Sequence, residues 1–380
     1  MGYGPGPVPL GPLQAVLPDE LARAAGIDIA DARRIVSLVH RTGTLPDRAP
    51  ATIRRRALDA VRAIGSVPSL ELVERRPSAL DPFVKYAFRL PDGAVIEAVR
   101  IPLEREGRFS ACVSSQVGCA LACSFCATGR MGLTRNLEAW EIVEQVRALR
   151  ADLPAPADAK PSGSPRLHGV LFQGMGEPLA NTERVIQAIR VLAEPSAQAI
   201  DMRNITVCTA GLPAGIRALY REVPAVRLGV SLGSAIPGRR RSLMPIDAAH
   251  PLETVLEAAA EHARATGLSP MLAYTLLAGE NDSDADADAL ADLCERFRER
   301  AGQGPRLSLI PFNAFQQGGH VRSERLDAFR AIFRARGLGT IVRYSGGGDV
   351  DAACGQLAGR GGARAAAPRR AEVAPVSAGD

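Results

Sequence analysis

Gly118-Cys119-Ala120-Leu121-Ala122-Cys123-Ser124-Phe125-Cys126 gathers three cysteines into one short loop. A C-x3-C-x2-C spacing offers three thiolates, which suits a [4Fe–4S] cluster and leaves its fourth iron without a protein ligand. That open iron is where chemistry can occur. Zinc is the competing reading, but a structural zinc takes four ligands, usually as two paired knuckles, and no histidine lies within forty residues of the loop. Three buried core thiols are the bland alternative. Against it, the other four cysteines stand singly at Cys112, Cys208, Cys294 and Cys354.

Outward from this loop the chain alternates strand and helix patterns. A hairpin is expected over 86–90 and 94–101 around Pro91-Asp92-Gly93, a good turn sequence. Strands are then expected to end near Ser115, Gln173, Thr209, Leu232, Leu277 and Phe312, with a last strand over 341–344. Helical periodicity fills the intervals, for example at 138–150, 182–192 and 252–266. Repeated βα units imply parallel strands with right-handed crossovers, hence an α/β barrel or part of one. Ligands in such folds bind at the C-terminal ends of strands. There the sequence places the cysteine loop, Gly174-Met175-Gly176-Glu177-Pro178, Cys208-Thr209-Ala210-Gly211, Ser231-Leu232-Gly233 and Pro311-Phe312-Asn313. Each of these taken alone could be an ordinary turn.

Before the barrel, residues 1–17 are rich in Gly and Pro and read as disordered, and 18–80 as a small helical accessory domain. The barrel with its hairpin extension takes 81–350, a cysteine loop 351–359, and an Ala-, Pro- and Arg-rich disordered tail 360–380. A chain of 380 residues with 46% apolar content can bury a large core. No basic segment followed by an apolar stretch opens it, and no eighteen apolar residues run together, so the expectation is a cytoplasmic protein without a membrane span. Seven cysteines, an odd number, fit a reducing compartment. The net charge is +5, and of 46 basic residues only Lys85 and Lys160 are lysine. Arginine suits phosphate and base recognition, yet the same bias follows from genome composition. The runs Arg54-Arg55-Arg56 and Arg239-Arg240-Arg241 read as solvated faces or as phosphate contacts.

Cys112-Val113-Ser114-Ser115-Gln116-Val117-Gly118 precedes the cysteine loop, and Asp351-Ala352-Ala353-Cys354-Gly355-Gln356-Leu357 stands near the C-terminus. With the triplet and its aromatic Phe125, these segments resemble the RlmN/Cfr family of radical-SAM RNA adenine methyltransferases over roughly residues 80 to 359. The resemblance implies a partial (β/α)6 radical-SAM barrel whose cluster, on Cys119, Cys123 and Cys126, binds S-adenosylmethionine (SAM) and yields a 5′-deoxyadenosyl radical. It implies SAM contacts at Gly176, Glu177, Cys208, Ser231, Leu232, Gly233 and Asn313. Capping of the next helix is the alternative for Glu177. The family commonly has Ser at the position of Cys208 and His at that of Gly233, so two contacts depart from pattern.

In the mechanism implied by the resemblance, one SAM methylates Cys354, and a radical from a second SAM takes hydrogen from that S-methyl group. The carbon then adds to adenine, and Cys112 releases the RNA by forming a transient disulfide with Cys354. Glu97 matches the proton acceptor; a solvent-facing strand glutamate is its alternative. Gly346-Gly347-Gly348 would let the Cys354 loop swing, or belong to a loose tail. Cys294 matches nothing functional and reads as packing. The implied substrate is adenine C2 in large-subunit ribosomal RNA, with transfer RNA as a second candidate, C8 as the nearest rival, and an electron donor, a thiol reductant and a monomer as further expectations. Two other classes stay open: a radical-SAM enzyme acting on a protein or small molecule, and a non-catalytic RNA-binding protein with a structural metal.

Overall fold

The computed structural model describes residues 9–154, 165–315, 319–343 and 345–359. The expected tail 360–380, the end of the last strand at 344 and the first eight residues lie outside them. The chain opens with β1 (Gly11–Pro12), α1 (Pro18–Ala25), α2 (Ile29–Thr42), α3 (Arg55–Ile64) and β2 (Gly65–Ser66). Leu21, Ile35, Val36, Val39, Leu58 and Val61 bury one stripe of each helix in a small core of their own. Asp28 caps α2 by accepting from the Ala30 N–H, and Gly43 ends it in the left-handed conformation.

Two expectations about this end are corrected. Residues 9–17 are not a loose leader: Leu13, Gln14, Ala15 and Val16 are buried, and β1 pairs in parallel with β2. Four apolar side chains in Leu13-Gln14-Ala15-Val16-Leu17 outweigh the Gly and Pro around them, at about 1.5–3 kcal/mol for each large side chain buried. Nor is the stretch to residue 80 all helical, because β3 (Glu71–Pro77) is an edge strand of the main sheet. Its charged residues are those that protect an exposed edge, and they hide its strand pattern.

The main sheet continues through β4 (Val84–Arg89), β5 (Val95–Pro102) and β6 (Arg108–Val113), all antiparallel. After β6 come the short pair β7 (Gln116–Cys119) and β8 (Gly132–Asn136), α4 (Ala139–Ala151), β9 (Arg166–Phe172) and α5 (Thr182–Ala193). Next are β10 (Ile205–Thr209), α6 (Pro213–Glu222), β11 (Arg227–Ser231), α7 (Arg239–Leu243), α8 (Leu252–Thr266), β12 (Met271–Leu276), α9 (Asp284–Ala301), β13 (Arg306–Pro311), α10 (Leu326–Ala335) and β14 (Thr340–Val342). From β6 and β9 to β14 every neighbour pairs in parallel. Six βα units thus lead to a last strand, and the sheet stays open between its edges β14 and β3. This is the α/β partial barrel that the alternating pattern implies. Val170, Val207, Leu228, Leu272 and Leu309 fill the core between sheet and helices. Among the described residues no helix is long and apolar enough to cross a membrane.

Candidate active site

The C-terminal strand ends open into a cavity of about 340 Å³. Cys119, Cys123 and Cys126 line it together with Cys112, Cys208 and Cys354. Gly118 makes the loop possible: its φ is +76°, and a Cβ there would strike the Gly132 carbonyl oxygen where β7 meets β8. Burial pushes the Cys119 thiol up to about 11, and it raises Cys123 and Cys126 as well, with the neighbouring cysteines adding repulsion. Three sulfurs on one cavity wall, with Cys119 buried and Cys123 and Cys126 half-buried, oppose one another's ionisation, and a cation among them would favour the thiolates that metal binding needs. Among the described residues no three metal-binding side chains converge on a single ion position. A tetrahedral zinc would need a fourth ligand on one ion, whereas in a cubane each thiolate holds its own iron, so the sulfurs need only face one common space. The donor set therefore fits a [4Fe–4S] cluster.

Gly176-Glu177-Pro178 follows β9. Gly176 has φ +98°, and a Cβ would lie 2.5 Å from that of Gln116. Gln116 holds the turn by accepting from the Glu177 N–H at 2.8 Å. Glu177 is 3% exposed, and its carboxylate accepts from the Leu179 N–H at 3.0 Å and the Ala210 N–H at 2.8 Å. Burial raises its pKa, against the pull of these donors. The side chain both caps the turn after it and lines the cavity.

Cys208, Ser231 and Asn313 also face the cavity. Leu232 and Gly233 do not form its wall. Leu232 is fully buried, its carbonyl accepts from Arg240 Nε at 3.0 Å, and the Gly233 carbonyl accepts from Asn281 Nδ2 at 2.7 Å. Arg240 itself is 2% exposed and bonded to Asp247, which corrects the solvated-face and phosphate readings at this position of the arginine run.

Cys354 is held in a braced loop rather than a loose one. Its N–H donates to Ser345 Oγ at 3.0 Å, and Asn313 Nδ2 donates to the same oxygen at 3.0 Å. The Ala127 N–H donates to the Gly355 carbonyl at 2.7 Å, and Thr128 Oγ1 to that of Leu357 at 2.6 Å. A Cβ on Gly346 would collide with Asp81 and Phe83, so this glycine serves close packing. Cys112, near the end of β6, is pushed up to about 12, first by burial and then by the neighbouring Cys354 sulfur. Both are free thiols here.

Glu97 is 1% exposed, so the solvent-facing alternative falls. It pairs with Lys85 at 3.2 Å across β4 and β5 and accepts from the Ala358 N–H at 2.8 Å. It sits behind the Cys354 loop, outside the cavity wall. Cys294 is buried in α9, away from the site.

Arg343 has no place among the expected site residues. It lines the cavity with Cys112, Cys208 and Cys354, and its Nη1 donates to Gln173 Oε1 at 2.6 Å. Burial works against its charge, but the three sulfurs outweigh that and raise its pKa. Its position just past β14, at a strand's C-terminal end, is the signal that could have found it.

The sequence matches the Radical SAM superfamily over residues 113–294. It is 69% identical to a probable RNA methyltransferase of Sorangium cellulosum, over 90% of this chain and 91% of that one. It is 42% identical to the dual-specificity RNA methyltransferase RlmN of Syntrophobacter fumaroxidans, over 75% and 79%. A crystal structure of a radical SAM methyltransferase from Sphaerobacter thermophilus superposes with a TM-score of 0.79 at 35% identity, covering 93% of this chain and all of that one. An enzyme is therefore at hand rather than a passive RNA binder, and the chain belongs to the RlmN-like family of radical-SAM RNA methyltransferases.

Proposed function

We propose that this enzyme methylates C2 of an adenine in large-subunit ribosomal RNA through an S-methylated Cys354, and that transfer RNA is its second substrate. The observation that supports this reading most is the single cavity lined by Cys112, Cys354 and the cysteine triplet. C2 is favoured over C8 by the RlmN names among the relatives and by Ile310-Pro311-Phe312-Asn313 and Asp351-Ala352-Ala353-Cys354, which look closer to RlmN. A name that says dual specificity supports the second RNA.

Bound by Cys119, Cys123 and Cys126, the cluster would supply reductive cleavage of one SAM with an electron from an external donor, while the other SAM of each turnover would give its methyl group to Cys354. Glu177, Cys208, Ser231 and Asn313 would hold the cofactor, with Gly176 fixing the turn. Leu232 and Gly233 would act by shaping the wall from behind. Cys354 carries the methyl carbon and joins it to the base. Glu97 takes the proton from the adduct carbon, which requires its bond to the Ala358 N–H to open, and the adduct's one unpaired electron returns to the electron-transfer system that supplied it, which restores the aromatic ring. Cys112, as thiolate, then attacks the Cys354 sulfur. The sulfur–carbon bond breaks, its electron pair leaves with the carbon and takes a proton, and a disulfide remains for a cellular thiol to reduce. Such reduction suits a monomer working in the cytoplasm.

The test is to replace the two cysteines. Cys112→Ala should trap an RNA–protein adduct that survives denaturation and is sensitive to ribonuclease, with Cys354 joined to adenine through one added carbon by mass spectrometry. Cys354→Ala and the double variant should give none. Normal turnover by Cys112→Ala without adduct would overturn the resolving role.

A further inference from the structure

A second cavity, of about 350 Å³, opens at the opposite end of the barrel, where the strands begin. Its wall includes His168, Arg203, Arg227, Arg306 and Arg343. Arg227 and Arg306 are the first residues of β11 and β13, so the sheet itself aims them at the barrel floor. Carboxylates are scarce there. Arg203 is paired with Asp201 at 2.6 Å, but among the described residues neither Arg227 nor Arg306 has an ion pair. Arg227 uses Nε on the Arg203 carbonyl at 2.6 Å, which leaves the outer edge of its guanidinium free of that bond. Arg306 Nε is buried and has no hydrogen-bond partner. Burial, and then repulsion from Arg227, lowers the Arg306 pKa.

Arg227 and Arg306 are half-buried, and two half-buried guanidinium groups without a carboxylate partner repel one another unless an anion joins them. Guanidinium forks match phosphate oxygens two at a time, and a concave wall concentrates the field of several such groups. We propose that the barrel floor is an anion site that takes a phosphate group between Arg227 and Arg306. Arg343 lines both cavities, as do Ser110 and Leu171, so this site shares a wall with the active site but none of its cysteines. The phosphate comes either from the backbone of the RNA or from a free polyphosphate.

Inorganic pyrophosphate and an RNA hairpin serve as probes, with the full-length holoenzyme, Arg306→Gln and the Arg227→Gln/Arg306→Gln double variant. Pyrophosphate should bind the wild type, by calorimetry, about tenfold more tightly than the double variant. If RNA is the source, pyrophosphate also competes with the hairpin, and the salt dependence of hairpin binding falls by about one to two ions in the double variant. With a free polyphosphate as source, hairpin binding is the same in all three proteins while the pyrophosphate difference persists. Should the double variant fail to fold, Arg306→Gln alone carries the test, because its Nε has no partner to lose. No pyrophosphate binding by the wild type, or equal binding by folded wild type and variant, overturns the site.

Discussion

Both carboxylate oxygens of Glu177 accept backbone N–H groups, so this residue ties two loops together before it meets any ligand. Glu177→Ala strands two buried donors, each at a cost of about 1–3 kcal/mol. Urea denaturation should therefore show a clear loss of stability, alongside weaker SAM binding. Glu177→Gln keeps a carbonyl acceptor, so it should hold most of the stability while still losing SAM affinity; equal SAM affinity would leave only the cap. Replacement of Cys119, Cys123 or Cys126 by Ala should abolish cluster absorbance and SAM cleavage, because two thiolates hold a [4Fe–4S] centre poorly. Such residues are legible because spacing along one loop carries their chemistry. The Lys85 and Glu97 pair, the burial of Arg240 and the place of Arg343 among the sulfurs are not, because each depends on partners brought together by strand register or by distant loops.

Among the elements, the strand ends were readable to within about two residues, since apolar runs broken by glycine-rich turns report burial directly. β3 was not, because an edge strand with four charged residues in Glu71–Pro77 has no such run. The link from α2 to α4 through the loop after α5 includes a group that no pattern reveals. His40 accepts from Gln198 Nε2 at 3.2 Å, while Gln198 Oε1 is fixed by Arg150 Nη1 at 2.9 Å. Burial first, then Arg147 and Arg150, depress His40 to about 4. The unfolded chain takes this proton near pH 6.5 and the folded chain only near 4, so the stability from neutral His40 is complete above 6.5 and falls away between 6.5 and 4. About 3 kcal/mol is at stake. Urea midpoints across that range should drop in the wild type, and His40→Leu should flatten this part of the profile; an unchanged slope in the variant would remove His40 as its cause.

On the scale of the whole molecule, the open side of the barrel is bridged by the segment that carries Cys354. Asp349 accepts from Ser78 Oγ at 2.7 Å and from the Ala79 N–H at 2.8 Å, just past β3, while the Gly347 N–H donates to Asp81 at 2.9 Å. The other end of the bridge reaches Asn313 and Ser345 beside β13 and β14, and the cysteine loop through Ala127 and Thr128. One strap thus joins both sheet edges and the candidate cluster loop, and it fixes Cys354 from each side. Hydrogen bonds from Ser78 and Ala79 hold the Asp349 carboxyl below its ordinary value. The clasp is therefore intact above the usual aspartate range and is lost as pH falls through the lower folded value. At neutral pH, Asp349→Ala should speed hydrogen exchange at the Gly347 and Cys354 amides several-fold while leaving exchange in β9 to β12 unchanged. Asp349→Asn, which keeps an acceptor oxygen, should restore much of the protection. If exchange at Cys354 is the same in all three proteins, the strap is held by its other bonds alone and Asp349 has no part in positioning the cysteine.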